Sequence, residues 1–502
     1  MPNLKKSISS RETNLAAARE ESRGVLPGSP TWRDVLVTQY GEFGEQVDHT
    51  ENAPITSDRQ RRKPPLTQRR FGAGFTVTLT QENAPIIAEP ALYADMRVKD
   101  EVEITDADGT GDEFTVDSGG DGYEAGDLLY VPSGPNAGLH VVTGTPTSTT
   151  IPVESSLEDE SSVSHVGRRV GFEFDEGDAE IDSDGNLITT AKDLTELELV
   201  NGEHVSIGGD ASASQFDTAG NNTQARADAV EANKLTFTKR ESAAMEADDG
   251  TGKSIRIFFA PRVLKNETDP ANIKELTNQY ERKLGEPDKD SPGDAQYQYM
   301  LGCLNAQATV TVPASGLVTL QVQHQGSGMD LIDKDGSQKS GDRKPAFDED
   351  PFNTADEALR AHIGRHGEDE PLADVVSNFS LTINNNVEPL DGVGAPAFGA
   401  NVGMFNVSIN TSFFFQTVEA LEAIRNNDDL TQHIHLWQNN HGITIDVPAL
   451  SGSGRPPTVN ANQALVGELT SEAFGGAHVN EDLDHTLLLA WWDYLPDRAM
   501  EA

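Results

Sequence analysis

The sequence predicts a mainly β protein built around a repeated strand, and three observations carry that prediction. The stretch Gly74-Phe75-Thr76-Val77-Thr78-Leu79-Thr80 alternates, with Phe75, Val77 and Leu79 on one face and threonines on the other; a period of two marks a strand with one buried face. The stretch Met404-Phe405-Asn406-Val407-Ser408-Ile409-Asn410 repeats the order. Each follows a loop bearing Pro and Gly, residues 54–74 and 389–403, and each runs into a short helical pattern, near 86–96 and 418–425. Two copies of one loop–strand–helix unit suit a protein that assembles rather than one that catalyses.

Composition narrows the class. The net charge of −44 disfavours non-specific binding to nucleic acid or an anionic membrane, because like charges repel. It has two explanations: a protein from salty water, or a surface that must not stick to DNA. Hydrophobic content of 36% and aromatic content of 6% fit several thin β-modules joined by loops better than one large globule. Cys303 is the single cysteine, so no intrachain disulfide forms, and it reads as a small buried hydrophobe rather than a nucleophile. No apolar run approaches the roughly 18 residues of a membrane span. Residues 1–21 lack the apolar segment of a signal peptide, which predicts a chain made in a cytoplasm and not exported by that route.

Along the chain, residues 1–32 read as a polar arm, weakly helical over 14–21 and ordered only on docking. A first strand is expected at 35–40. Residues 48–70 form a loop of unusual charge, with Arg59, Arg61, Arg62, Lys63, Arg69 and Arg70 clustered in an acidic chain and Pro64-Pro65 stiffening its middle. Three readings stand: a solvated loop, a loop that docks on an acidic neighbouring copy, or a nucleic-acid contact. The third lacks an aromatic residue in the cluster to stack on bases.

Residues 98–250 hold a second repeat of short strands and Asn/Gly turns, read as two small β-modules inserted into the first core domain. The strand at 254–259 is expected to return the chain to that domain. A helix is expected at 272–284, where Ile273, Leu276 and Tyr280 fall at helical spacing. A closing hairpin follows at 308–312 and 317–322, and then a polar stretch at 326–370. Strands are expected in the second core domain at 379–383, 405–415, 433–437, 443–447, 464–470 and 486–492. The domain plan is therefore an arm (1–32), a first core domain (33–97 with 251–325), inserted modules (98–165 and 166–250), a polar linker or long loop (326–372) and a second core domain (373–502).

Candidate chemistry is sparse. The turns Asp106–Asp112, Asp182–Gly185 and Asp333–Gly336 resemble calcium loops but lack flanking helices, and the first has Asp117 where a bidentate Glu is usual; they read as acidic turns. His362 and His366, with Glu368 nearby, are four apart, but Gly364 weakens the helix that would align them and no third ligand is assigned. His433 and His435 share a strand face and read as packing or interface residues. No nucleophile elbow or phosphate loop is present. The reading is no enzyme, no cofactor and no metal.

Several blocks, taken in order, resemble a known family: Tyr40–Gly44, Asn52–Ile55, Arg59–Lys63, Gly72–Thr80, Gly119–Val131 with Asn136–Gly138, Leu199–Ile207 with Asn221-Asn222, Ile255–Phe259, Arg262–Asn266, Tyr280–Gly285, Phe379–Asn386 with Pro389-Leu390, and Met404–Phe415. They are similar to the tail tube proteins of long-tailed phages, in the large variety whose tube domain carries inserted modules. The resemblance covers most of 33–502; residues 326–370 depart from it, being longer and more polar.

It implies two tandem tail-tube-type β-sandwich or barrel domains, each with a flanking helix. Three such chains would form a pseudo-sixfold ring. Rings would stack into a hollow virion tube that conducts DNA without specific binding, alongside tape-measure, terminator and distal tail proteins, with no membrane partner. Phe75, Val77, Leu79, Phe405, Val407 and Ile409 are expected in the sheet core, and Thr76, Thr78, Asn406 and Ser408 toward lumen or solvent. Arg59, Arg61, Arg62, Lys63, Arg69 and Arg70 are expected at a contact between subunits or rings. The alternative is a halophilic surface or extracellular binding protein of β-repeats.

Overall fold

The alternating stretch around Phe75 is the inner half of a long strand, Leu66–Thr78, in a computed structural model that describes residues 13–52, 60, 62–240, 245–285, 295–332, 338–354, 358–368, 371–372, 376–392, 395–415, 418–455 and 464–497. The protein is mainly β, with two α-helices among the described residues: α1 (Ala84–Leu92) and α2 (Glu419–Asn426). Its contacts divide the chain into two interleaved units. The first comprises Met1–Ala94, Ala271–Asn353 and Phe379–Ser408; the second comprises Asp95–Pro270, Thr354–Asn378 and Ile409–Ala502.

In the first unit the strand Leu66–Thr78 leads into α1, which has Pro in its first turn and ends at Tyr93 in the left-handed conformation. The Asn83 side chain holds the junction by accepting from Thr80 N–H at 3.0 Å and donating to the Thr78 carbonyl at 2.7 Å. Three strands follow in the same unit: Asn278–Gly285, Gln296–Val312 and Thr319–Gln325. Each pairs with the next, and the third returns to Leu66–Thr78, placing Val322 opposite Phe75 and Leu320 opposite Val77. Helix α1 is tied to this sheet where Tyr93 OH donates to the Asn305 carbonyl and Asn278 Nδ2 to the Ile86 carbonyl.

The second unit carries the same order of parts. From Ile409 the strand Asn406–Phe414 runs toward α2, and then come Asp429–Gln438, His441–Arg455 and Val466–Ala473. Again the consecutive strands pair and the last lies against the first: Phe415 N–H donates to the Leu465 carbonyl at 2.9 Å, and Thr470 Oγ1 to Asn410 Oδ1 at 2.9 Å. An outer strand completes each copy, Asn14–Arg19 beside Asn278–Gly285 and Ala358–Arg365 beside Asp429–Gln438. Acidic Glu419 and Glu422 in the first turn of α2 and Arg425 in its last complement the helix dipole.

The inserted segment belongs to the second unit. Its longest strand, Glu160–Glu173, pairs with Glu101–Asp108, Asp127–Val131 and Arg256–Phe259 in turn, so the two modules are continuous in one sheet. They keep separate apolar cores. One is built on Ile104, Phe114, Leu129 and Ile151, the other on Phe174, Leu187, Val205, Ile257 and Phe259. A third cluster joins Leu128, Val170 and Phe258 to Trp437, Leu488 and Trp492.

Four expectations are corrected. The weakly helical arm is instead the strand Asn14–Arg19, with Leu15, Ala16, Ala17 and Ala18 buried; pairing on both sides overrides the helix preference of alanine. The helix at 272–284 is instead the strand Asn278–Gly285, whose ladders to two neighbours outweigh the helical spacing, and Ile273 is exposed. The polar stretch at 326–370 contributes the strands Gly328–Ile332, Asp342–Lys344 and Ala358–Arg365. The strand at 254–259 does not return to the first core domain. As Arg256–Phe259 it lies between Glu160–Glu173 and Glu203–Ile207.

Candidate functional site

The strands Val37–His49 and Leu66–Thr78 pair antiparallel from Val37 opposite Val77 to His49 opposite Leu66. Their environment changes along this length. Ala73, Phe75 and Val77 are buried, whereas from Phe71 outward the residues are half-buried or exposed on both faces. A ribbon with neither face covered is an arm, not a core element. The basic cluster lies on this outer part, with Arg62, Lys63, Arg69 and Arg70 all exposed; Arg59 and Arg61 lie outside the described residues.

The arm is not uniformly cationic. Arg69 reaches Glu45 at 3.1 Å, and Gln46, which opposes Arg70, donates to Glu42 at 2.7 Å. Val47 and Leu66 are exposed beside these charges. A second hairpin, Glu388–Gly392 with Ala395–Asn401, stands in the same unit and exposes Leu390. The Gln68 amide donates to the Asp391 carboxylate at 2.7 Å, joining the two hairpins. Cations, carboxylates and isolated aliphatic side chains thus share one projecting surface.

Phe75, Val77, Leu79, Val407 and Ile409 are buried, and Phe405 is half-buried. The Phe75 ring meets Tyr280 edge-on at 5.2 Å and stacks on His324 at 5.8 Å. Thr76, Thr78 and Ser408 are half-buried and Asn406 is exposed.

His362 sits on the strand Ala358–Arg365 and His366 in the turn after it, so no helix face brings them together; along a strand, four residues span about 13 Å. The Asp182 carboxylate accepts from the backbone N–H groups of Asp184 and Asn186, and Asp108 from that of Thr110. These are acidic turns that satisfy themselves. Asp333–Gly336 lies outside the described residues. Cys303 is buried, and burial pushes its thiol pKa well up, away from the reactive thiolate.

The sequence reading missed a layer of buried polar groups in the second unit. His204, His362, His433 and His435 lie there with Arg226, Asp228 and Asp446. His433 and His435 were legible as packing or interface residues on one strand face, and both are buried; what the sequence did not reveal is that His204, His362, Arg226, Asp228 and Asp446 join them from other strands.

Comparison with known proteins agrees with the fold. A family profile described as "Phage tail tube protein" matches residues 10–472. No curated protein matches the chain. The matched segment spans both units and both strand–helix copies, so the chain belongs to the phage tail tube protein family and is a structural protein of the virion tail.

Proposed function

We propose that three copies of this chain close a ring of pseudo-sixfold symmetry, and that such rings stack into the hollow tube through which DNA is delivered. The observation that carries the reading is the recurrence, in each unit, of one order of parts: strand, helix, then three antiparallel strands whose last pairs with the first. Two equivalent domains per chain turn a sixfold ring into three subunits. Exposed strand edges are a hazard unless paired, and a ring pairs each with its neighbour. Head-to-tail contacts then propagate as a filament.

In this reading the hairpin arm with Arg62, Lys63, Arg69 and Arg70, continued by Arg59 and Arg61, docks on the acidic surface of the next ring. The inserted modules decorate the outside. The net charge of −44 keeps the lumen from binding the DNA that slides through it. Tape-measure, terminator and distal tail proteins are the further partners, and no catalytic step is assigned. Negative-stain microscopy of the concentrated purified protein is expected to reveal hollow tubes or three-chain rings. A monodisperse monomer under the same conditions refutes the reading.

A further inference from the structure

The buried layer in the second unit has the composition of a metal site. Strand register sets part of it: His362 is directly opposite His433, and His433 is directly opposite Asp446, so three neighbouring strands present the three residues in one row. Cross-strand partners stand about 5 Å apart, and the His362 and His433 rings stack at 5.0 Å. From the strand Glu203–Ile207, His204 enters the same layer, its ring 4.8 Å from that of His433 and its Nε2 3.0 Å from Asp446 Oδ1. His204, His433 and Asp446 each offer a ligand atom, and these atoms lie within 4.8 Å of one another.

Two further observations point to a ligand. Asp446 Oδ2 and His204 Nδ1 are buried atoms with no hydrogen-bond partner, an arrangement that is costly if nothing else satisfies it. The charges also do not cancel. Arg226 bonds Asp228 at 2.6 Å and lies 3.6 Å from Asp446, so one guanidinium faces two carboxylates, all fully buried. Two buried carboxylates against one guanidinium in a low-dielectric layer leave a place for a further cation.

We propose that His204, His433 and Asp446 bind one divalent transition-metal ion of the zinc type, as a structural site holding their strands together. Two imidazoles and one carboxylate suit a borderline metal, whereas magnesium and calcium favour all-oxygen sites. Tetrahedral coordination at metal–ligand distances near 2.1 Å sets donor atoms roughly 3.4 Å apart, so binding draws ligand atoms now up to 4.8 Å apart together by about 1 Å. His362, stacked on His433, and the Arg226–Asp228 pair form the surroundings that orient the ligands.

The test uses full-length untagged protein, stripped with chelator, in millimolar magnesium to occupy surface carboxylates, and titrated with cobalt(II). One equivalent should bind saturably with the strong visible absorption of a buried low-coordinate site. Zinc should then bleach it and raise the melting temperature. His204→Gln and Asp446→Asn should weaken uptake at least ten-fold, and His478→Gln, at an exposed histidine, should leave it unchanged. Absence of saturable uptake by the wild-type protein, or only the weak spectrum of six-coordinate cobalt, overturns the proposal, as does equal uptake by the His204 variant. Because the wild-type stoichiometry and spectrum decide by themselves, a variant that fails to fold does not shelter the proposal.

Discussion

Gln68 and Asp391 are 323 residues apart in sequence, yet the amide of one donates to the carboxylate of the other at 2.7 Å, so the two exposed hairpins are braced as one surface. The bond is solvated and worth about 1 kcal/mol to the isolated subunit. Asp391→Ala is therefore expected to leave the melting temperature nearly unchanged. Light scattering should detect assembly only at higher protein concentration, because the arm is no longer held in its docking position. Unaltered assembly kinetics would remove any role for the brace.

The basic arm gives a sharper expectation. Replacing Arg62 and Arg70 with Glu reverses exposed charges that no core packing depends on, so circular dichroism and melting should match the wild type within about 2 °C. Polymerisation should fail, since the arm would then meet an acidic neighbour with like charge. Wild-type tubes from this double variant, seen by microscopy, would exclude docking through these cations.

Lys99 and Glu203 form a buried pair at 2.5 Å. Lys99 also donates to the Ala260 carbonyl, and Glu203 accepts from the Val200 and Ala260 N–H groups. Lys99→Met strands a carboxylate in the interior and is expected to destabilise by about 3–5 kcal/mol in urea unfolding. Adding Glu203→Leu should recover part of that loss. If the single variant unfolds with the wild-type midpoint, Glu203 is already satisfied without Lys99.

His324 supplies a pH dependence. Its Nδ1–H donates to the Ala73 carbonyl and its Nε2 accepts from Tyr280 OH. Burial drives its pKa down to about 4 against that carbonyl contact. The unfolded chain, with the ordinary value near 6.5, takes the proton first. The contribution to stability is thus complete above pH 6.5 and is lost as pH falls toward 4, by roughly 3 kcal/mol in all. The stability difference between wild type and His324→Gln should therefore shrink across this window; a difference independent of pH would mean that His324 is not the titrating group.

The acidic turn at Asp182 yields a control. Its carboxylate already accepts two backbone N–H groups, so calorimetric titration with calcium should give no micromolar binding heat at this turn. Asp182→Ala should cost about 1 kcal/mol through the lost turn bonds. Saturable heat that disappears in this variant would make the turn a calcium loop after all.

Local alternation was legible wherever one face of a strand meets a core and the other does not. Phe75-Thr76-Val77-Thr78-Leu79 and Phe405-Asn406-Val407-Ser408-Ile409 declared both the β class and the doubling. The short helical patterns after each copy, near 86–96 and 418–425, fall on the helices Ala84–Leu92 and Glu419–Asn426. Mutual pairing was not legible. Leu15-Ala16-Ala17-Ala18 has a helical preference that only the ladders to 278–285 and 31–35 overturn, and Tyr280 keeps a helical spacing inside a strand. The His433 row was legible only in part, for a related reason: the packing role of His433 and His435 showed in their own strand, but the partners His362 and Asp446 lie on other strands. A residue's own neighbours in sequence thus determine which of its faces is apolar. Which distant segment covers that face depends on contacts that form only when the chain closes on itself.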